Sequence, residues 1–514
     1  MRVTRDARLK EYDVIVIGSG IGGLTSAALL AKAGRSVLVL EAHDRPGGYA
    51  HGFKRKKYQF DAGVHLISGC GPQGYRGGQV IYKLLDALGV RDEIEFINVD
   101  PFSHAYYPGL KTNLPQSMQA FVATLAQHYP EERHGLESLL QLCLQVAEEV
   151  ALSNELMSGE GYDSIFQLMP TLCRYRKLTL NEVMDTLIND PKLRGVFATL
   201  WPYLGLPPSK VSFIYWASML MSYMVDGSFY CKGSFQELAN VLVKSIKQQG
   251  GSVQFRSPVD KIVIENNRVS GVEVKSSRIN APVVISNADM RQTIFKLVGE
   301  HYFPNRYVEK IKNLQHSLSI FVVYIATSLD LDKLNMGYES FCYRDFDHEL
   351  NFAKTLAGEV SWISITAPTL IDPGLAPTGE HLLVLTTLLP YDIKENWVQA
   401  KPGFMETMLD IAEQYLPGLK QHINFIEGGS PTTLQRYTQN FQGAAYGWDV
   451  MPTQTDPTRV KNVSPLTGLF FAGHWCSPGC GVYGVSVSGM QAAQKVLGIK
   501  KPSELWQGMR AIAK

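Results

Sequence analysis

Cysteine is sparse: seven residues between Cys70 and Cys480 in a chain of 514, an odd number without the density of a disulfide framework. A reducing, cytoplasmic compartment is expected. Charge of one sign is missing too, since 49 Lys and Arg balance 48 Asp and Glu to a formal +1. No global field draws the chain to nucleic acid, and no nucleic-acid partner is expected. Long apolar runs are also absent. The uncharged stretch Val211 to Val225 has 15 residues and three serines, short of the ~20 that span a bilayer. Met1 to Lys10 carries five charges, and the apolar run Val14 to Ile17 is far shorter than a signal-peptide core, so no export signal is expected. With 45% apolar and 19% charged residues, a disordered or collagen-like chain is excluded. The length suits two interleaved domains.

What is present starts with Asp13-Val-Ile-Val-Ile17, a buried strand, followed at once by Gly18-Ser-Gly-Ile-Gly-Gly23 and a helical pattern through Ala33. Gly34 and Arg35 end that helix, and Ser36 to Leu40 reads as a second strand finishing at Glu41. This is one βαβ unit of a parallel sheet. Gly18 permits the turn out of the strand, Gly20 lets backbone approach a pyrophosphate, Gly22 continues the glycine-rich corner, and Gly23 lets the helix pack on the sheet. The helix N-terminus then offers amides and partial positive charge to phosphates. Glu41 stands where a carboxylate accepts the hydroxyls of a ribose. A bound dinucleotide is the expectation, and this unit alone leaves its identity open.

Downstream, Ser252 to Phe255, Val259 to Ile264, Val269 to Val274 and Pro282 to Ser286 read as strands, with a turn at Glu265 to Arg268. Gly468 to Gly473 is another short apolar strand closed by glycine, and a last helix is expected from Val482 to Leu497 with a glycine-rich start. Between these lie helical stretches, Phe121 to Ala126 and Leu136 to Val150, and strands, Ile320 to Ala326 and His381 to Leu388. The stretch Leu200 to Val225 is rich in aromatic and Met side chains. It suits the wall of a hydrophobic tunnel or the core of a second domain.

The order Glu41, Arg45-Pro-Gly47-Gly48, a charged hairpin from Phe53 to Phe60, and Asp61-Ala-Gly63 resembles the flavin-dependent amine oxidase and phytoene desaturase superfamily. So does Gly473 followed by Gly479-Cys-Gly481-Val482 at the start of the last helix. The resemblance implies non-covalent FAD lying along the sheet, with Arg45, Gly47 and Gly48 at the pyrophosphate and ribityl region. It implies Asp61 and Gly63 beside the isoalloxazine and Val259 beside the adenine. Gly473, Gly481 and Val482 would meet the flavin, with His474 standing where family members often carry Asp or Ser. The fold class implied is α/β: a Rossmann-like FAD-binding domain (1–75, 231–299, 431–514) holding a discontinuously inserted α+β substrate domain (76–230, 300–430). The CxxxC spacing of Cys476 and Cys480 has no second Cys or His pair nearby, so no metal site is expected.

Within that superfamily the chain is most similar to the carotenoid isomerase, phytoene desaturase and retinol saturase branch. Three segments carry this: Asp226-Gly-Ser-Phe-Tyr230 with Lys232 to Leu238, Ser364 to Pro377 with His381, and Gly447-Trp-Asp-Val-Met-Pro452. The branch implies an apolar polyene substrate and hydrogen shifted, removed or added at its carbon–carbon bonds. It also implies peripheral membrane association, for which the run Lys54-Arg-Lys-Lys57 is a candidate alongside a plain solvated hairpin tip. Gly63-Val-His65 resembles the retinol saturase version, Gly-Ile-His-Tyr, with Leu66 in place of the tyrosine. His65 is therefore the side chain expected to hold or accept a proton beside the flavin. Tyr446 and Tyr483 are further candidates for the flavin face, with aromatic packing as their default. The competing functions are an FAD oxidase or dehydrogenase of amines, smaller polar molecules or another lipid, and a flavin-bearing carrier of an apolar pigment.

Overall fold

A computed structural model describes residues 11–72, 79–156 and 167–512. Five short strands form a wholly parallel sheet in the order 252–254, 37–40, 14–17, 283–286, 469–471. Val14–Ile17 and Val37–Leu40 are buried at every position, as strands covered on both faces require. Val14, Val16, Val37 and Val39 pack toward the helix Ile21–Lys32. Their alternating neighbours Ile15, Ile17, Leu38 and Leu40 pack against a three-stranded antiparallel sheet, Lys261–Glu265, Arg268–Val274 and Ser277–Asn280. The last helix, Val482–Leu497, has the expected bounds and lies on Ile21–Lys32 at close range. A Cβ at Gly489 would come within 2.2 Å of the Gly22 carbonyl, so the approach depends on glycine at that position.

A second sheet of seven strands runs in the order 423–429, 319–327, 381–389, 362–366, 339–343, 103–107, 110–114. All neighbours are antiparallel except 339–343 against 103–107. One face, with Phe321, Ile363, Ile365 and Leu385, packs on the helix Trp397–Glu413. The opposite face, with Ile320, Phe341, Trp362 and Leu388, turns toward a large cavity.

One expected strand and one expected helix shift. Val259 stands outside any strand, because Pro258 before it has no amide to donate, and pairing starts at Lys261. The helix expected from Leu136 runs from Arg133 to Leu156. The basic hairpin tip is engaged within the chain: Arg55 donates to both Glu427 oxygens at 2.7 and 3.1 Å, and Lys57 pairs with Glu380. Among the described residues no helix is long and apolar enough to cross a membrane.

Candidate functional site

The first corner is made of main chain. Gly18 leaves its strand at φ 90°, and Gly20 starts the helix Ile21–Lys32. The Leu24 amide reaches the Gly20 carbonyl at 2.9 Å, so the first-turn amides before it have no helical acceptor. Gly23 has no room for a side chain, since a Cβ there would sit 2.2 Å from the Gly18 carbonyl. It is a packing residue behind the corner and does not line the cavity, whereas Gly18, Gly20 and Gly22 do.

Glu41 ends the second strand with its carboxylate turned back on this corner. It accepts from the Ser19 amide at 2.7 Å, the Ser19 hydroxyl at 2.6 Å and the His43 amide at 2.7 Å. The Arg45-to-Gly48 segment folds onto the same place: the Gly47 amide donates to the Ser19 carbonyl at 2.9 Å, and Arg45 is held by the Gly52 carbonyl at 2.9 Å. Glu41, Arg45, Gly47, Gly48, Gly63 and Val259 all line the cavity.

The C-terminal corner meets the first one. A Cβ at Gly22 would stand 2.9 Å from the Gly473 amide nitrogen. Gly473 has φ 94°, and Gly481, at φ 80°, opens the last helix with open space where a Cβ would be. Beneath the loop between them lies Arg459, 1% exposed, which donates to the carbonyls of His474 at 2.9 Å and of Cys476 and Trp448 at 3.3 Å. Sequence reasoning missed this arginine. It also missed Asn287, whose side chain fills the space left by the glycines: a Cβ at Gly20 would be 2.7 Å from its Nδ2, and one at Gly473 2.7 Å from its Oδ1. A signal existed, because Asn287 follows a parallel strand at the same carboxyl edge as Gly18 and Glu41, where ligands of such sheets bind.

Asp61 departs from expectation. Its carboxylate is buried away from the cavity and accepts from the Tyr230 hydroxyl and the Phe235 amide, both at 2.8 Å. Burial, partly offset by those bonds, pushes it up to about 6. It ties the hairpin to the helix that follows Phe235. Tyr446 lines the cavity with its ring, but its hydroxyl donates to the Pro202 carbonyl at 2.8 Å, and burial raises the phenol far above its usual range. It is a wall.

His65 faces the cavity, and its ring has no hydrogen-bond partner among the described residues. Burial pushes the imidazole down to about 4, so it is neutral through the physiological range rather than poised near it. His474 is depressed further, to about 3, by burial and secondarily by Arg459. Both line the cavity, as do Gly481, Val482 and Tyr483. All seven cysteines are free, and burial raises the thiols of Cys476, to about 12, and of Cys480.

From these corners one cavity of about 1080 Å³ continues to the second sheet. That exceeds the usual ~300–1,000 Å³ of a single small-molecule site. The helix Phe213–Met224 divides the stretch that the sequence left open: Phe213, Trp216, Leu220 and Met221 are buried core, while Ile214, Tyr215, Met219 and Tyr223 face the cavity.

A family described as "Flavin containing amine oxidoreductase" matches residues 21–497. The chain belongs to that family. It is a flavoenzyme, and the site fits a flavin nucleotide: two helix N-termini, the Glu41 carboxylate and glycines at each approach converge on one cavity. The rat protein "All-trans-retinol 13,14-reductase" is 26% identical over 95% of this chain and 86% of its own. The carrot "Prolycopene isomerase, chloroplastic" is 28% identical over 97% and 82%, and the Pseudescherichia vulneris "Phytoene desaturase (lycopene-forming)" 25% identical over 94% and 98%. Among solved structures, a Methanosarcina mazei oxidoreductase has a TM-score of 0.62 at 19% identity, covering 93% of this chain and 98% of its own. Putrescine oxidase has 0.63 at 15%, covering 95% and 99%. These two show the mixed α/β fold of this flavoenzyme.

Proposed function

We propose that this flavoenzyme holds FAD non-covalently and shifts, removes or adds hydrogen at the carbon–carbon double bonds of an apolar polyene. The observation that carries it is the single continuous cavity, which joins the glycine corners to a wall of Ile214, Met219, Phe341 and Leu388. Retinol, prolycopene and phytoene, the compounds in the relatives' names, are polyenes of this kind. Glu41 would hold the adenosine ribose, the amides after Gly20 the pyrophosphate, and the amides after Gly481 the flavin ring. When bound, FAD supplies the hydride- or electron-accepting ring.

The chain's own residues orient the polyene and exclude water. His65, neutral and unpartnered, is the group placed to accept a proton or hold one at a ring nitrogen. The proposal includes the division into a cofactor domain (1–75, 231–299, 431–514) and a substrate domain (76–230, 300–430). The five-stranded sheet draws its strands from the first set and the seven-stranded sheet from the second, which supports that reading. It also includes peripheral contact with a membrane, because polyenes partition into lipid.

Anaerobic mixing of the holoenzyme with a carotenoid and a retinoid tests the function. The flavin absorbance and the product masses are followed with oxidised and with prereduced enzyme. A double-bond product of equal, lower or higher mass is expected. An unchanged flavin band together with unchanged polyene would end the reading. Denaturation should release all the yellow chromophore into solution, and retention on the polypeptide would refute non-covalent binding.

A further inference from the structure

The C-terminal corner is tied down by two buried side chains of different chemistry. Asn462 donates its amide to the Phe471 carbonyl at 3.1 Å, the Ser488 carbonyl at 3.2 Å and the Ser488 hydroxyl at 3.0 Å. Arg459, 1% exposed, does comparable work with a cation, reaching the carbonyls of His474 at 2.9 Å, of Cys476 and Trp448 at 3.3 Å and of Gln454 at 3.5 Å. All four partners are neutral. A charge buried without an opposite charge is unfavourable, and a guanidinium keeps its charge where a carboxyl or an imidazole would shed it. A neutral amide such as that of Asn462 ties a loop without this penalty, so the cation at position 459 calls for a further role.

Its position supplies one. Arg459 stands behind the cavity wall formed by His474 and Cys480, with its Nη2 3.1 Å from the point where a Cβ on Gly479 would be. The Tyr215 hydroxyl, on a ring that lines the cavity, crowds the same point from the other side. Burial dominates the depressed imidazole of His474 and the raised thiol of Cys480; in both the Arg459 charge ranks next, holding the first further down and opposing the second. Both groups face the cavity, so the field of the guanidinium passes through the wall.

Reduction of a flavin ring by two electrons and one proton leaves one negative charge on it, which a nearby cation stabilises where water is excluded. We propose that Arg459 is a positioning residue that raises the reduction potential of the flavin by holding a whole positive charge behind the C-terminal corner. The helix Val482–Leu497 offers only the partial charge of its N-terminus there. The inference rests on the reading that the flavin ring lies at the Gly481 end, and it is independent of the polyene.

The test reduces holoenzyme anaerobically with dithionite beside a dye of known potential, and reads the reduced fraction of flavin against that of the dye. Arg459→Gln, neutral and still able to donate to the loop, should shift the equilibrium about 10-fold or more toward oxidised flavin, ~30 mV for a two-electron couple. Arg459→Lys keeps the charge and should stay within about 3-fold of the unaltered enzyme. Asp449→Asn leaves the ties of Arg459 in place and removes a buried carboxyl whose Oδ1 has no hydrogen-bond partner among the described residues. Burial pushes that carboxyl up to about 7, against the charges of Arg459 and Lys210, so at pH 8.5 it is ionised. There Asp449→Asn should shift the equilibrium about 3-fold or more toward reduced flavin. An unchanged equilibrium in Arg459→Gln, or a shift in Arg459→Lys as large as in Arg459→Gln, overturns the inference. If Arg459→Gln does not retain flavin, Asp449→Asn decides: the stated shift supports the inference and no shift overturns it. An unaltered chain that neither carries nor takes up flavin overturns the cofactor reading and this inference with it, whereas the expected shifts in an enzyme that transforms no polyene support Arg459 and end the polyene reading alone.

Discussion

At the glycine corners the groups offered to a ligand are main-chain amides, set by φ values of 90° at Gly18, 94° at Gly473 and 80° at Gly481. Along the second sheet the groups offered are side chains, from Ile214 and Met219 on one helix to Phe341, Ser364, Thr386 and Leu388 on three strands. The two regions differ in what a substitution does. At Gly20, Gly22, Gly23 and Gly473 the corner has no spare volume, so an added methyl meets backbone or the side chain of Asn287. A wall built from side chains can trade one apolar group for another and change only fit.

The largest expected effect is therefore at Gly23. Gly23→Val sets a branched side chain against the Gly18 carbonyl, and the purified chain should be colourless or insoluble, whereas Ile214→Val should keep one flavin per chain. Stoichiometric flavin in Gly23→Val would break the contrast. Next, His65→Ala should retain flavin and lower turnover ~10²–10⁴-fold, as loss of an acid–base group does. Because burial holds His65 near 4, the turnover profile of the unaltered enzyme should show no break from this residue between pH 5 and 8. Turnover unchanged by His65→Ala would remove His65 from the chemistry. A smaller effect is expected at Glu41, which already accepts from Ser19 and His43. Glu41→Gln should weaken flavin binding roughly 10-fold in equilibrium titration, the size of a lost charge-assisted bond.

The smallest effect sharpens the comparison through pH. Half-buried His65 and His474 and fully buried His348 have depressed values of about 4, 3 and 4, so the unfolded chain binds their protons first. Their contribution to stability is fully present above the ordinary histidine value near 6.5 and falls as pH drops toward 4. Glu339 and Asp449 are raised by burial to about 7, so their contribution is present in acid and is lost as pH rises from the ordinary carboxyl range to 7. The two sets oppose each other between about pH 4.5 and 6.5. Glu339→Gln removes one opposing carboxyl, and urea midpoints should then rise more steeply with pH across that window. Parallel curves for the two proteins would show that Glu339 does not titrate as its burial requires.

The cofactor side of the fold was largely legible in the sequence, and the reason is local. Gly18 to Glu41 is one βαβ unit whose turn, helix and strand each carry their own residue signature, and Gly481 and Gly498 bracket the last helix at Val482–Leu497. Asp61 misled because a buried carboxylate that ties two elements together has the same residue signature as one facing a ligand. Arg459 and Asn287 gave only weak signals: their partners are carbonyls and glycines far along the chain, and neither belongs to a spacing pattern.

The linear order of residues determined the two glycine corners, because their turns are set by backbone torsion within a few positions of each glycine, and the likeness of the motifs to a flavin-dependent family carried the cofactor class. Only the tertiary structure decided that the corners touch at Gly22 and Gly473, that Tyr446 is a wall, and that Phe341, Ser364, Thr386 and Leu388 line one cavity. Those last four residues come from three strands. Strand register and helix packing, which no short stretch of sequence encodes, bring them together.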